Sequence, residues 1–241
     1  MKVKLLIFTA TLNEAGNIGT WYSNVREKYP ETDLLVIDDS SQDGTLDILN
    51  SLSESDKKLK IIKRQKKLGL GSAHTLAFHY ALENDYQLLI TMDADLSHNP
   101  SEISKLLEII PKCDYVVGSR FKDGTLDYRF FRKNIAKLAN SLCRLLIPTG
   151  LSEYTTSFRC FNKKALDTLV KNKKWNENYS FFIEVTNFLY CMGLHLEEVP
   201  INFKKRFSGK SKIPRTQILK SAITLIRLWI HRKKAMIKAR P

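Results

Sequence analysis

The chain has 241 residues, 43% of them hydrophobic, which is enough for one large domain with a substantial core and excludes a peptide-sized module. Its formal charge of +14 is concentrated near the end, because residues 201–241 hold thirteen Lys and Arg and no Asp or Glu, whereas residues 1–200 hold 26 basic and 25 acidic residues. This pattern predicts a near-neutral body with a basic docking segment for anionic lipid, an acidic partner or nucleic acid, and composition does not rank the three.

Short apolar runs alternate with longer segments of helical periodicity along the first half of the chain. In the first helical segment, residues 14–29, one stripe contains Ile18, Trp21, Tyr22 and Val25. Alternating strands and helices predict an α/β fold, with a mostly parallel sheet and helices on both faces. In chain order the predicted strands are "KLLIF", "DLLVID", "LKIIK", "QLLITMD" and "DYVVG", and a late strand, "HLEEVPINF", follows a mainly helical stretch.

Polar side chains follow four of these predicted strands. In open parallel sheets, ligands bind at the carboxyl ends of the strands, so we expect these side chains to line one site. They are Thr11, Asn13 and Glu14 after the first strand, Asp38 and Asp39 after the second, Asp93 and Asp95 after the fourth, and Arg120 after the fifth.

The segment "MDADLSHNP" places two carboxylates at the end of the fourth strand. Because residues two apart on an extended chain share a face, Asp93 and Asp95 point the same way, and a cation between them relieves their repulsion. Mg²⁺ or Mn²⁺ suits such a place, since these ions take oxygen ligands from carboxylates and substrate phosphates. The alternative is a solvated turn before a helix capped by Asn99 or Ser101, and the segment alone leaves the two interpretations level. We expect His98 to be structural rather than a phosphate contact.

Two further loops are candidates for nucleotide binding. In "VIDDSSQDGTLDIL", Asp38 or Asp39 is placed to accept a hydrogen bond from a ribose hydroxyl or a base edge, whereas Asp43 more simply caps the following helix. "KKLGLGSAH" has the G-x-G spacing but lacks the third glycine of a dinucleotide fingerprint. We expect Gly69 and Gly71 to permit a close approach of the backbone to a nucleotide, or to begin a helix.

Cysteine usage and hydropathy predict the compartment. The four cysteines are far apart and form no C-x-x-C pair, so we expect buried or inert thiols in a reducing compartment. The sequence begins with too short an apolar run for a signal peptide, and no stretch approaches ~18 uninterrupted apolar residues. These features predict a cytoplasmic protein without a membrane span.

Seven motifs occur in a fixed order along the chain: "TATLNEAGNI", "VIDDSSQDGT", "KKLGLGSAHTLAF", "MDADLSHNP", "VVGSRF", "TSFRCFNKKAL" and "EEVPINFKKRFSGKSKI". This series resembles the family 2 glycosyltransferases of the GT-A fold, and within them the dolichol- or polyprenol-phosphate mannose synthases that lack a transmembrane tail. The resemblance extends from about Lys4 to Ile213. We expect a glycosyltransferase domain at 1–213, with a nucleotide-sugar half at about 1–125 and an acceptor half at 126–213, followed by a basic amphipathic helix at 214–241.

The resemblance implies a donor site and a metal site. Asp93 and Asp95 would serve the donor diphosphate and bind Mg²⁺ or Mn²⁺, and Ser97 stands where many relatives have a glutamine ligand. Asp39 would contact the nucleoside. The full set of donor-binding residues is Thr11, Glu14, Asp38, Asp39 and Asp93.

The resemblance also implies a polyprenyl phosphate acceptor held by basic side chains, since the planar guanidinium of Arg binds phosphate oxygens in a bidentate manner. The expected acceptor-phosphate residues are Arg120, Arg132, Arg206 and Lys212. Asp95, Arg120 and Arg206 are expected to act in catalysis. Two residues depart from the family pattern: Ala136 stands where a serine is common, and Ser157 replaces a glycine.

The chemistry follows from the charge of the acceptor. A lipid monophosphate, with a second ionisation near pH ~6, is mostly dianionic at neutral pH and needs no general base. We expect in-line attack with inversion, with GDP-mannose as the first choice of donor and UDP-glucose as the second. Transfer to a glycan hydroxyl in polysaccharide synthesis, or a phosphatase with Asp93 as nucleophile, remain alternatives. A nucleic-acid binder would leave the acidic strand ends without a purpose, so we expect no nucleic-acid partner.

The basic C-terminal segment has helical periodicity. One face would carry apolar side chains and another basic ones, which predicts a helix in the interface of an anionic membrane, peripheral to its inner face. The alternative is a helix that packs on the domain or on a second subunit. The apolar face contains Ile218, Ala222, Leu225 or Ile226, and Trp229, and the basic face contains Lys220, Arg227 and Lys234.

Overall fold

The computed structural model describes residues 3–126, 130–171, 175–177, 180–209 and 223–230. The helices are α1 (Ala15–Lys28), α2 (Thr45–Ser55), α3 (Leu70–Glu83), α4 (Ile103–Ile109), α5 (Phe130–Leu146), α6 (Lys163–Val170) and α7 (Phe181–Cys191), with short 3₁₀ helices at Pro100–Glu102 and Ile110–Lys112. The strands are β1 (Leu5–Thr11), β2 (Asp33–Asp38), β3 (Leu59–Lys63), β4 (Leu88–Thr91), β5 (Tyr115–Ser119), β6 (Thr125–Leu126), β7 (Arg159–Asn162), β8 (Leu196–Pro200) and β9 (Asn202–Phe203).

A seven-stranded sheet in the order β3-β2-β1-β4-β7-β5-β8 forms the centre of the protein. All neighbouring strands are parallel except β7, which runs antiparallel between β4 and β5. The five strands predicted in the first half are confirmed, and the late strand is confirmed as β8 and β9. The strand β7 is not among the predicted elements, because its four residues, "RCFN", show neither alternation nor a long apolar run.

Helices cover both faces of the sheet, as predicted. Along β1, Leu6 and Phe8 belong to a core cluster that includes residues of α3, α6 and α7, whereas Ile7 between them belongs to a second cluster with residues of α1, α2 and α4. Successive side chains of a strand point to opposite faces, so a strand buried on both sides must be apolar throughout. This is why the strands are continuous apolar runs in the sequence.

Two predictions about helices can be compared with the structure. The stripe on α1 is confirmed, because Ile18, Trp21 and Val25 are fully buried. Of the predicted C-terminal helix, residues 223–230 are described and helical, and the rest of 214–241 lies outside the described residues. Leu225 is buried in the same core cluster as α7, while Ile226 is 51% exposed. This part of the segment therefore packs on the domain through Leu225.

The described residues also show whether a helix could span a membrane and whether the cysteines are paired. No helix among them combines the length and apolar character needed to cross a bilayer. The cysteines are all free: Cys113, Cys143 and Cys160 are buried as expected, and Cys191 is exposed. Burial raises the pKa of the Cys113 thiol to about 11 and that of the Cys143 thiol to about 12, so both are unreactive at neutral pH.

Candidate active site

The carboxyl ends of β1, β2 and β4 lie side by side and bring together the acidic residues predicted from the sequence. Two buried residues at this edge, Thr11 and Asp38, stabilise the loop that follows β2. Thr11 lies opposite Asp38 in the β1–β2 register and donates a hydrogen bond of 2.8 Å to its carboxylate, which also accepts the backbone N–H of Ser41 at 2.8 Å. Thr11 is 1% exposed and Asp38 is fully buried. Both side chains are thus engaged inside the protein, and their expected contact with the donor stays a prediction.

Asp39 shapes the neighbouring loop. Its carboxylate accepts backbone N–H groups from Leu68 at 2.8 Å and Gly69 at 2.9 Å, and forms an ion pair of 3.0 Å with Arg64. Arg64 also donates to the Ser72 hydroxyl at 3.1 Å. Asp39 and Arg64 therefore fix the segment that begins α3. Arg64 is a site residue that the sequence reasoning missed, although its position directly after β3 was a signal.

Gly69 and Gly71 lie at the start of α3 and close to the backbone of residues 176 and 177. Gly69 precedes α3 with φ of +92°, so the expected helix start is confirmed. A Cβ on Gly71 would lie 2.0 Å from the carbonyl oxygen of Asn176, and one on Gly69 would lie 2.5 Å from that of Glu177. The close approach is thus to another segment of the protein. Glu184 holds that segment by accepting the Asn176 N–H at 2.9 Å, and burial raises the pKa of its carboxyl group.

The D-x-D turn after β4 is held from inside the protein. The backbone N–H of Asp93 donates to His98 Nδ1 at 3.1 Å, and the fully buried His98 ring stacks on Phe158 with centroids 5.1 Å apart. This confirms the structural interpretation of His98. Ser157 donates its hydroxyl to Asp93 at 2.6 Å. Asn99 caps the 3₁₀ helix that follows by accepting the Ser101 N–H, as expected.

Asp95, the second carboxylate of the turn, is paired with Arg206, which follows β9. One carboxylate oxygen accepts the Ser97 N–H at 3.0 Å, and the other forms an ion pair of 3.0 Å with Arg206. Ser97 therefore contacts the carboxylate. Arg206 also pairs with Glu14 at 3.1 Å, so one guanidinium joins the ends of β1 and β4. Burial by itself lowers the pKa of Arg206, but the charges of Asp95 and Glu14 outweigh it and raise that pKa.

Backbone strain is concentrated in the loops of this edge. Asn13 (φ +53°), Ser40 (φ +70°) and Leu96 (φ +63°) adopt the left-handed conformation that disfavours residues other than glycine. Each such residue costs of the order of 1–2 kcal/mol, and strain of this kind is characteristic of functional sites. At Leu96 it turns the chain so that the Ser97 N–H points back at Asp95.

The turn fits a divalent ion that is bound together with a phosphate-bearing ligand. Among the residues that the structure describes, no group of three or more His, Cys, Asp or Glu side chains could hold an ion. The Asp93 side chain, however, is 40% exposed, and Asp95 already attracts a guanidinium. Mg²⁺ and Mn²⁺ are commonly held by one or two carboxylates plus substrate phosphates. Asp93 and Asp95 are therefore the residues that would hold such an ion.

Arg120 lies directly after β5 and is paired with a buried carboxylate. Its Nε and Nη2 donate to the carboxylate of Glu153 at 2.7 and 2.9 Å, and Nη2 also donates to the Thr155 hydroxyl at 2.7 Å. Glu153 is fully buried and also accepts the Thr155 N–H and the Thr156 N–H. The charge of Arg120 is thus paired within the protein, and its expected contact with the acceptor phosphate stays a prediction. Glu153 carries no periodic signal and was missed.

The remaining predicted residues have no described side chain. Arg132 lies on α5, but its side chain is outside the described set, and Lys212 lies outside the described residues. Ala136, also on α5, accepts through its carbonyl a hydrogen bond of 3.0 Å from Asn140.

Comparisons with known proteins identify the family of the chain. Residues 6–170 match the family described as Glycosyl transferase family 2. The chain is 31% identical over 213 residues to an undecaprenyl-phosphate mannosyltransferase of Micrococcus luteus, covering 88% of each chain. It is also 31% identical over 219 residues to a polyprenol monophosphomannose synthase of Mycolicibacterium smegmatis, covering 89% of this chain and 83% of that one.

Solved structures show the same fold at low sequence identity. Glucosyl-3-phosphoglycerate synthase of Mycobacterium tuberculosis aligns with a TM-score of 0.69 at 14% identity, over 96% of this chain and 80% of that chain. A mannosyltransferase of Pyrobaculum calidifontis, solved with GDP-Man and Mn²⁺, aligns with a TM-score of 0.57 at 16% identity, over 100% of this chain and 77% of that chain. The predicted GT-A fold is confirmed.

Proposed function

The chain belongs to glycosyl transferase family 2, and we propose that it transfers mannose from GDP-mannose to a polyprenyl phosphate at the inner face of a membrane. The observation that carries the proposal is the D-x-D turn of Asp93 and Asp95, at the carboxyl end of β4 beside Glu14. It lies in a chain that is 31% identical along most of its length to two enzymes named for mannosyl transfer to polyprenyl phosphates. Membership of this family leaves the phosphatase alternative without support.

The donor would lie along the edge formed by β2, β1 and β4. Asp39 and Arg64 fix the segment that would lie beside the nucleoside, and Glu14 completes the edge next to Asp95. An ion held by Asp93 and Asp95 would offset the charge that develops on the departing nucleoside diphosphate. The strained turn keeps the carboxylates in place before the donor binds, so little reorganisation is needed during the reaction.

The acceptor would bind through basic side chains near the same edge. Arg206 is already positioned there between two carboxylates, and its planar fork suits phosphate oxygens equally well. Arg132 and Lys212 are the other predicted contacts. We assign Arg120 to the support of this region through its pair with Glu153. A phosphate that is mostly dianionic attacks the anomeric carbon without a general base, and attack opposite the leaving diphosphate inverts its configuration.

A transfer assay tests this proposal. Purified protein is incubated with Mn²⁺, a polyprenyl phosphate and labelled GDP-mannose, with UDP-glucose in parallel, and label is measured in the organic phase. We expect metal-dependent label from GDP-mannose that is lost in Asp95→Ala and retained in Asp47→Ala, which removes an exposed carboxylate on α2 as a matched control. Label from UDP-glucose alone would replace the donor. Consumption of the donor with no label in the organic phase would refute the lipid acceptor, and full activity of Asp95→Ala would refute the site.

A further inference from the structure

The outer face of α5 carries three exposed leucines. Leu138, Leu142 and Leu145 are 63%, 41% and 77% exposed, and their spacing of four and three residues places them on one side of the helix. The opposite side is already used, because Cys143 is buried in the core and Asn140 is buried beside it. We call the three leucines the leucine face. A second apolar stripe on a helix whose other side already packs in the core indicates contact with something outside the domain.

All the charged residues of α5, the helix that carries the leucine face, are basic. The sequence of α5 contains four basic residues and no acidic one, and two of the basic residues, Lys137 and Arg144, are exposed beside the leucines. An apolar stripe flanked by Lys and Arg is the pattern of a helix that lies in the interface of an anionic membrane.

A second helical segment repeats the pattern. Residues 223–230 expose Ile223, Ile226 and Ile230, with Arg227 also exposed, and contain no acidic residue. Leu225 of this segment packs in the same core cluster as Cys143 of α5. Two basic, apolar outer surfaces therefore rest on one core cluster.

From these observations we propose that the leucine face is a docking surface for an anionic bilayer, a proposal that rests on the lipid acceptor of the proposed function. A second copy of the chain is the less suitable occupant, because a symmetric contact through α5 would place two helices with only basic charges against each other. Anionic lipid headgroups supply the opposite charge, and each Lys or Arg near such a surface contributes about 1 kcal/mol.

The inner side of α5 connects this surface to the site. Asn140 donates to the Thr155 hydroxyl at 3.3 Å and accepts the Tyr154 N–H at 2.8 Å. The same Thr155 hydroxyl accepts the hydrogen bond from Arg120. One helix, about 10–12 Å in diameter with its side chains, therefore separates the leucine face from the Arg120–Glu153 pair. A bilayer bound there would present lipid phosphates at the level of the acceptor half.

Vesicle flotation tests the proposal without any sugar transfer. The full chain is mixed with vesicles of phosphatidylcholine alone or with added phosphatidylglycerol, and the triple variant Leu138→Gln/Leu142→Gln/Leu145→Gln is compared with Val3→Gln/Met192→Gln. The control removes two apolar side chains of similar exposure, 55% and 56%, from other parts of the surface. We expect the triple variant to bind anionic vesicles on the order of 100-fold more weakly and the control to bind as the unmodified chain does. Equal melting temperatures of the three proteins show that the variants fold.

The outcomes separate this inference from the proposed function. Anionic-vesicle binding that the triple variant retains would overturn the docking surface, whatever the transfer assay gives. A dimer of the unmodified chain that becomes monomeric in the triple variant would assign the leucine face to a second copy and also overturn it. Loss of vesicle binding in the triple variant, in a protein that transfers no sugar to lipid, would support the docking surface and refute the polyprenyl phosphate acceptor. Lys137→Gln/Arg144→Gln should weaken the preference for anionic over neutral vesicles, and an unchanged preference would refute the charge argument.

Discussion

Replacing Glu153 by glutamine tests how much its buried pair with Arg120 stabilises the fold. Glu153 is fully buried and Arg120 is 8% exposed, and two hydrogen bonds of 2.7 and 2.9 Å join them. Removing one partner of such a pair leaves an uncompensated buried charge, which costs about 3–5 kcal/mol. That is a large part of the ~5–15 kcal/mol that stabilises a typical domain. We therefore expect Glu153→Gln to lower the free energy of unfolding by about 3–5 kcal/mol at pH 7.

The pH dependence of stability provides a second readout for the same residue. Burial by itself raises the pKa of Glu153, but the Arg120 guanidinium and the Thr155 donors outweigh it and hold that pKa below its usual value. A carboxyl group with a lowered pKa in the folded state stabilises the protein above its unfolded pKa of about 4.3, and this contribution is lost as the pH falls through the folded value. The stability of Glu153→Gln should therefore fall less steeply below about pH 4–5 than that of the unmodified chain.

Urea unfolding followed by tryptophan fluorescence measures both effects. Glu31→Gln is the matched control, because its pair with Lys58 is exposed and should contribute less than about 1 kcal/mol. The double variant Glu153→Gln/Arg120→Met removes both charges and should recover much of the lost stability, since it leaves no unpaired buried charge. A loss below about 1 kcal/mol in Glu153→Gln, or a double variant no more stable than the single one, would refute the reasoning.

Two further changes test the packing and the site. Gly71→Ala should destabilise the fold by about 1–3 kcal/mol in urea unfolding, because its Cβ would lie 2.0 Å from the Asn176 carbonyl oxygen. The control Gly19→Ala, whose Cβ would have its nearest atom at 3.9 Å, should be neutral or stabilising. Equal effects of the two substitutions would contradict the close approach at Gly71. Arg206→Ala should bind Mn²⁺ more tightly than the unmodified chain in calorimetry without donor, because the substitution removes the cation that pairs with Asp95. The same variant should transfer less sugar. An unchanged or weaker affinity for Mn²⁺ would show that Arg206 and the metal ion do not compete for Asp95.

The sequence alone identified the elements whose signals are local. The apolar runs of β1, β2 and β4 are long enough to be recognised, and a strand buried on both faces leaves no other pattern. The D-x-D turn and the residues at the ends of these strands were found because a parallel sheet places such ends at one edge. The resemblance of the motifs then identified the family, which the comparisons confirm.

What the sequence could not decide depends on contacts between distant residues. The strand β7 inserts between β4 and β5 and brings Ser157 against Asp93, 64 residues away. The pair of Arg206 with Glu14 joins residues 192 apart. The burial of Asp38 and the pair of Arg120 with Glu153 were likewise not visible in the sequence. Periodicity reports which face of an element is apolar, but the partner of a buried charge is selected by geometry that exists only once the elements have packed together.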